Sequence, residues 1–167
     1  LKFLSGRTEG CIGSSVMCTM EGTRPILVEL QALGVASGFS APRRVVAGLD
    51  YNRTIMVLAV AEKMLGIKMN DQDIYINVAG GIKIKDSAVD AALAAALYSA
   101  RTDLALEDGL CIAGEISLAG EIRPVQHLKQ RIKTAKELGF EKIVAPEKEG
   151  NSAVVRNVKD LVATLFG

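Results

Sequence analysis

The spacing of apolar residues predicts strands in the first part of the chain and a helix after them. Residues 10–20 and 24–33 are rich in Val, Ile, Thr and Met, and the turn residues Glu21-Gly22-Thr23 lie between them, which is typical of a β-hairpin. A third strand is expected at residues 43–49. From Asp50 to Leu65 the apolar positions follow helical spacing, with Asp50 as the N-cap and Gly66 as the end of the helix.

The second half of the chain alternates short strands with helices. The strands are expected at residues 73–78 and 142–146, with a second hairpin over residues 114–125, and the helices at residues 88–100, 125–138 and 158–166. The helix over residues 88–100 is apolar on almost every side and rich in Ala, which places it at the centre of the domain. This order predicts an α/β fold with a mixed sheet and packed helices.

Length and composition indicate one globular domain over residues 1–167. The net charge of +1 excludes a strongly basic nucleic-acid-binding chain, so a DNA-facing surface would have to be a local patch. Cys11, Cys18 and Cys111 lack the paired spacing of a metal or redox motif, so we predict no metal site and three buried free thiols in a cytoplasmic protein. No apolar run is long enough to cross a membrane. The chain begins with Leu1, and we expect it to be a C-terminal fragment of a longer protein.

Two segments resemble the two halves of a Lon-type Ser–Lys protease domain. The hairpin over residues 114–125, together with the following helix that carries Lys129, is similar to the half that bears the catalytic lysine. Residues 83–90 are similar to the half that bears the serine, and the position of the nucleophile is occupied by Ala88. Lys85 stands where Lon has an acidic residue just before its serine. The resemblance therefore implies a vestigial dyad at Ala88 and Lys129.

Longer strings extend the resemblance over essentially the whole chain. They are Met20-Glu21-Gly22-Thr23-Arg24-Pro25, Pro42-Arg43-Arg44, Gly48-Leu49-Asp50-Tyr51-Asn52-Arg53 and Asn77-Val78-Ala79-Gly80-Gly81. With these strings the chain resembles the C-terminal Lon-like domain of the RadA (Sms) family of bacterial DNA repair proteins. The resemblance implies the Lon protease-like fold, which is ribosomal protein S5 domain 2-like.

The same resemblance implies a longer parent protein with a zinc finger and a RecA-like ATPase, assembled as a hexameric ring that acts on recombination intermediates. ATP, magnesium and zinc are implied only for that parent, because this chain has no phosphate-binding Gly-x-x-x-x-Gly-Lys-Ser/Thr string and no four-cysteine site. We expect this chain to hold no cofactor. Its expected partners are further copies of itself in a ring, with DNA as a second partner and no membrane.

A Ser–Lys peptidase needs a hydroxyl nucleophile beside an amine that can accept its proton. With Ala88 at the nucleophile position, Lys129 has nothing to deprotonate, and together with Lys133 and Lys136 it is either part of a solvated basic face or a relic. Ser87 precedes Asp90 in a capping-box pattern, so we expect Ser87 to cap the central helix. The interpretation is a non-proteolytic scaffold; the alternative is an active peptidase that uses Ser87 and Lys129.

The candidate DNA-binding residues are basic side chains at expected loops and strand ends, where charges can converge: Arg43, Arg44, Lys83 and Lys85. Five further basic residues could extend these four into a DNA-facing strip: Arg53, Lys129, Arg131, Lys133 and Lys136. The last four belong to the mixed-sign helix over residues 125–138, where acidic neighbours such as Glu137 would weaken the positive potential. Because the chain has no Trp and few other aromatic residues, base stacking is not indicated, and any DNA contact is expected to be non-specific and salt-dependent. His127, the only histidine, is expected to be exposed and without a chemical role.

Overall fold

A four-stranded mixed sheet forms the base of the fold in the computed structural model, which describes residues 10–38 and 40–167. The strands lie in the order β1-β2-β4-β3. Their bounds are β1 (Ser14–Glu21), β2 (Arg24–Ala36), β3 (Arg44–Ala47) and β4 (Gln72–Val78). β1 and β2 form the predicted antiparallel hairpin, β4 is antiparallel to β2, and β3 is parallel to β4. The prediction of an α/β fold with a mixed sheet is confirmed.

Four α-helices are found in the described part of the chain: α1 (Tyr51–Leu65), α2 (Asp90–Thr102), α3 (Leu128–Glu137) and α4 (Val158–Phe166). α1 begins and ends as the sequence predicts. The Asp50 carboxylate accepts a hydrogen bond from the Arg53 backbone N–H at 2.8 Å, and Gly66 adopts the left-handed conformation that ends the helix. No described helix is long and apolar enough to cross a membrane.

α2 is the central helix, as predicted. Its Ala and Leu side chains are buried on nearly all sides. It packs on β1 and β2 and contacts α1 and α4 on its other sides, while α3 packs against β1 and β2. The Ser15 hydroxyl donates a hydrogen bond to the Ala92 carbonyl at 2.6 Å, which joins the sheet to the helix directly. Small side chains allow this close approach of helix and strand.

Short strands complete the fold. They are β5 (Leu110–Ile112), β6 (Glu115–Ile116), β7 (Ile122–Arg123), β8 (Lys142–Ala145) and β9 (Ala153–Val154). β6 and β7 form the second predicted hairpin, whereas β5, β8 and β9 form a parallel sheet. β5 and β9 were not predicted, because strands of three and two residues carry too little periodicity to be recognised and exist here only through pairing with β8.

Two local predictions at the ends of helices are wrong. Ser87 does not cap α2: the Asp86 carboxylate accepts the hydrogen bond from the Ala88 N–H at 3.0 Å, residues Ser87–Val89 form a 3-10 turn, and α2 begins at Asp90. α3 begins at Leu128 rather than at residue 125, because His127 adopts a left-handed φ of 60° that is incompatible with a continuing helix. Both errors lie beside the positions that the Lon resemblance singled out.

The three thiols differ in their surroundings. Cys18 and Cys111 are buried and free, as predicted, but Cys11 is exposed, which corrects the prediction of three buried thiols. Burial raises the pKa of Cys18 to about 11, against the opposing effect of the nearby Arg131 guanidinium, and burial also raises the pKa of Cys111. Both buried thiols are therefore protonated and chemically inert at neutral pH.

Candidate functional site

The two positions of the predicted vestigial dyad lie in different environments. Ala88 is buried in the 3-10 turn before α2, and Lys129 is exposed on α3. Among the described residues no hydrogen bond joins the Ser87 hydroxyl to the Lys129 amine, although Ser87 lies in the wall of a cleft. The arrangement that a Ser–Lys peptidase requires, a hydroxyl held beside a partly buried amine, is not formed by these two residues.

Arg131 lies on the buried face of α3, whereas Lys129 lies on its exposed face. The Arg131 side chain is buried, and its guanidinium binds the Asp86 carboxylate and donates hydrogen bonds to the Cys18 and Gln126 carbonyls, each at 2.8 Å. The sequence analysis counted Arg131 among the basic residues of a possible DNA-facing strip, which is wrong because the side chain is buried. The signal that could have found it is the helical spacing, because Arg131 lies beside Leu128 and Ile132 on the buried face of α3.

Asp86 is the point at which three elements meet. In addition to Arg131 on α3, its carboxylate accepts hydrogen bonds from the Met20 N–H of β1 at 3.1 Å and from the Ala88 N–H at 3.0 Å. Burial disfavours the ionised form, but the guanidinium and the two amides outweigh it and hold the pKa of Asp86 below its ordinary value. Asp86 is therefore an ionised anchor for the turn that carries Ala88.

A second buried ion pair lies one turn further along. The Arg53 guanidinium binds both carboxylate oxygens of fully buried Asp90 and also reaches Glu115 at 3.2 Å, and the Ile116 N–H donates to Asp90 at 2.9 Å. Burial raises the pKa of Asp90 despite these contacts, and the Asp90 hydrogen bond raises the pKa of Arg53. The pair joins α1, α2 and β6. The sequence analysis counted Arg53 among the basic residues of a possible DNA-facing strip and missed this contact.

The cleft lined by Ser87 has a volume of about 540 Å³. Its lining includes Lys85, Ser87, Glu115, His127 and Arg131, and does not include Lys129. His127 is exposed, as predicted, and its Nδ1 lies 3.1 Å from the Gln130 side-chain oxygen. The cleft is lined by charges of both signs, and two of its lining residues, Asp86 and Arg131, form an ion pair with each other.

A larger cleft of about 730 Å³ opens beside the N-terminus of α1 and contains two of the predicted DNA-binding residues. Lys83 and Lys85 are both exposed and flank the buried Ile84, whose N–H donates to the Gly48 carbonyl at 2.8 Å. Neither lysine forms an ion pair with a described residue. These two cations are therefore presented together to solvent.

Arg43 and Arg44 lie at the opposite end of β3. Arg43 pairs with the buried Asp73 at 3.7 Å, and the Arg44 guanidinium donates to the Gln72 and Met69 carbonyls. A strand of four residues spans about 13 Å, so the structure divides the four predicted residues into two separate pairs. Within residues 10–38 and 40–167 no group of three or more His, Cys, Asp or Glu side chains is arranged to hold a metal ion.

Comparison with known proteins finds one matching family model and several similar proteins. Residues 52–149 match the family model described as subunit ChlI of Mg-chelatase. The chain is 42% identical over 158 residues to the DNA repair protein RadA of Listeria monocytogenes, covering 94% of this chain and 35% of that protein. It is 43% identical over 168 residues to DNA repair protein RadA of Salmonella typhimurium, covering 98% and 36%, and 43% identical over 144 residues to that of Bacillus subtilis, covering 86% and 31%. The chain spans about a third of the length of these relatives.

Proposed function

Since the chain belongs to the family described as subunit ChlI of Mg-chelatase and is similar to about a third of each RadA protein, we propose that it is the Lon-like, non-proteolytic scaffold domain of a RadA-type DNA recombination and repair protein. The observation that carries the proposal is that the Ser–Lys dyad of a peptidase is not in place. Ala88 is buried where a nucleophile would stand, and the buried cation nearby is Arg131, already bound to Asp86. A guanidinium cannot act as the base, because it stays protonated in proteins.

The alternative function is an active Ser–Lys peptidase that uses Ser87 and Lys129. Its support is that Ser87 is half-buried in the wall of a cleft large enough for a peptide side chain. The exposure of Lys129 argues against it, because a catalytic lysine is activated as a base by burial away from water. Turnover of casein or of short fluorogenic peptides, lost on Ser87→Ala and on Lys129→Met, would establish the peptidase instead.

The scaffold role includes assembly of several copies into a ring, with six copies in the parent protein, and ATP hydrolysis is assigned to the remaining two thirds of that parent. Ring closure follows from heterologous contacts between identical subunits, which form closed cycles when the rotation between neighbours permits it. Sedimentation velocity on the isolated domain and on the full-length parent, at two salt concentrations, tests this role. A parent that stays monomeric at all concentrations contradicts it.

The second part of the proposed function is non-specific DNA binding through Lys83 and Lys85. Both side chains are exposed, lie on one cleft and lack carboxylate partners in the described part of the chain, so phosphate contacts would not compete with existing ion pairs. Arg43 and Arg44 are not grouped with them, because both already contact the protein at the far end of β3.

Fluorescence anisotropy with labelled single-stranded DNA across a salt series tests this surface. The double variant Lys83→Ala/Lys85→Ala should weaken binding equally for unrelated sequences and lower the slope of log K against log salt by about 1.4, which is two phosphate contacts. The matched control is Lys129→Ala/Lys133→Ala, which removes the same charge from the exposed side of α3 and should leave the slope unchanged. If the slope changes only in the control variant, the DNA-binding surface lies on α3 instead.

A further inference from the structure

An apolar row crosses three strands on the face of the sheet away from α2. The strand registers place Leu33 of β2 opposite Tyr75 of β4, and Val45 of β3 beside the same Tyr75. The side chains of opposed residues stand on the same face of a sheet, so these three form one continuous row. Leu33 is 57% exposed and Val45 is 47% exposed. The exposed Val35 and Ala47 continue the apolar surface along β2 and β3.

α3 covers part of this face at β1 and the first half of β2, where Leu27 packs with Leu128 and Ile132, and the row at β3 and β4 lies outside that region. The uncovered part of such a face normally carries polar residues, whereas here the central row is apolar. The residues that alternate with this row along the strands, such as partly buried Val46 and buried Ile76, have their side chains on the opposite face. An apolar surface on a sheet that is otherwise well packed is typical of a protein-binding surface.

The row ends at an open strand edge. Within residues 10–38 and 40–167 the only strand that pairs with β3 is β4. The Ile74 N–H donates to the Arg43 carbonyl at 2.9 Å, and because a parallel ladder uses alternate residues, Val45 and Ala47 bond to β4. The backbone groups of Val46 therefore face away from β4. Their N–H and C=O are placed to pair with one more strand.

Cations stand at both ends of this edge. At its start, the hydrogen bonds of the Arg44 guanidinium go to carbonyl oxygens of the described chain, which leave its positive charge in place, whereas Arg43 is paired with Asp73. At its end, the bond between Ile84 and Gly48 holds Lys83 and Lys85 beside the last residue of β3. An extended chain lying along β3 would thus meet apolar side chains in the middle and positive charge at each end.

We propose that the open edge of β3 binds an extended segment of a partner protein that has alternating apolar residues in the middle and acidic residues on both sides. The segment adds a strand next to β3 by bonding to the backbone of Val46. Its apolar side chains extend the row formed by Leu33, Tyr75 and Val45, and its carboxylates lie near Arg44 and Lys83. This mode of binding combines backbone hydrogen bonds, which supply affinity, with side-chain contacts, which supply selectivity.

The charge pattern favours an acidic partner over a second copy of this chain. If β3 paired antiparallel with β3 of another copy, the cations at its start would lie opposite the cations at the other end of the second strand, and like charges would repel. Nucleic acid would use the lysines but would leave the apolar row and the backbone of Val46 without contacts. The site therefore differs from the DNA surface proposed above, although Lys83 and Lys85 border both.

The test uses the whole domain and a fluorescein-labelled peptide of about ten residues, with alternating Val and Thr between two acidic ends, a length that matches a typical strand plus its flanks. We expect saturable binding by anisotropy. Peptide N-methylated at alternate amides should bind at least about tenfold more weakly, because its backbone donors are lost, and so should a peptide with Lys at both ends. The change is made in the ligand, so a folding defect cannot explain the result.

On the protein, Val45→Asp introduces a carboxylate into the exposed row, and Val154→Asp is its control on an exposed residue of β9. Val45→Asp should lower peptide affinity at least about tenfold while leaving DNA affinity unchanged, because the lysines are intact. The proposal is overturned if the peptide does not bind, if N-methylation has no effect, if single-stranded DNA binding falls in Val45→Asp, or if Val45→Asp alters the oligomeric mass, which would assign the edge to a second copy.

Discussion

Arg131 of α3 and Asp86 form a buried ion pair between residues 45 positions apart in the chain. The side chain of Arg131 is 5% exposed and that of Asp86 is 15% exposed. The pair fixes α3 against the turn that carries Ala88, so that turn and α3 are joined by charge rather than by a catalytic hydrogen bond. Each partner is also bonded to backbone groups, as a buried ion pair requires if it is not to destabilise the fold.

Removing Arg131 should destabilise the domain strongly. Arg131→Met leaves the Asp86 carboxylate without its cation and the Cys18 carbonyl without a donor, and we expect a loss of about 3 kcal/mol in the free energy of unfolding. Urea unfolding followed by circular dichroism measures it. Lys129→Met on the exposed side of the same helix is the control and should change stability by less than about 0.5 kcal/mol. Equal effects of the two variants would contradict the ion pair's structural role.

The contribution of Asp86 should depend on pH. The folded-state pKa of Asp86 lies below the ordinary value of 3.8, so its stabilising effect is fully present above the unfolded pKa and is lost as the pH falls through the folded pKa. The difference in unfolding free energy between the wild type and Asp86→Asn should be constant above about pH 5 and shrink below about pH 4. Unfolding curves of both proteins at several pH values measure this difference in free energy. A difference that grows as the pH falls would contradict the prediction.

Restoring a serine at the nucleophile position should not restore peptidase activity. In Ala88→Ser the new hydroxyl would lie in a buried turn whose neighbouring cation is Arg131, while Lys129 stays in solvent. We therefore expect no cleavage of fluorogenic peptides above that of the wild type, and none in Ser87→Ala. Mass spectrometry after incubation with a peptidyl fluorophosphonate is a second readout. Covalent labelling of the introduced hydroxyl would show that a base is available after all.

Gly48 should be far less tolerant of substitution than another glycine that also has a positive φ. Gly48 has a φ of 91°, and a Cβ there would lie 2.7 Å from Val78 and 2.8 Å from the Ile82 carbonyl. Gly48→Ala should therefore lower the free energy of unfolding by more than about 2 kcal/mol.

The control for Gly48 is Gly66, which ends α1 with a φ of 66° and has open space where a Cβ would lie. Gly66→Ala should cost about 1 kcal/mol, the conformational part alone. Urea unfolding of both variants separates the steric effect from the backbone effect. Similar losses in the two variants would show that the contacts of Gly48 with Val78 and Ile82 do not matter.

Local patterns along the chain were enough to predict much of the fold. The hairpin of β1 and β2, the cap and end of α1, the central position of α2 and the final helix α4 all follow from turn residues, capping residues and apolar spacing. These features depend on residues that are close in sequence, so the sequence alone contains their physical cause. The resemblance seen in the sequence also identified the position of Ala88, and the candidate site lies beside the turn that carries this residue.

The tertiary structure decided which charged residues meet. The sequence analysis placed Arg53 and Arg131 in a possible DNA-facing strip and Asp90 in a capping box, yet each is part of a contact between elements far apart in sequence. The four candidate cations separated into two pairs because β3 lies between them, and the apolar row on the sheet arose from the register of three strands. Long-range pairing and burial set these properties. A local sequence pattern does not predict them, because the free energy of a charge depends on what lies beside it in the folded chain.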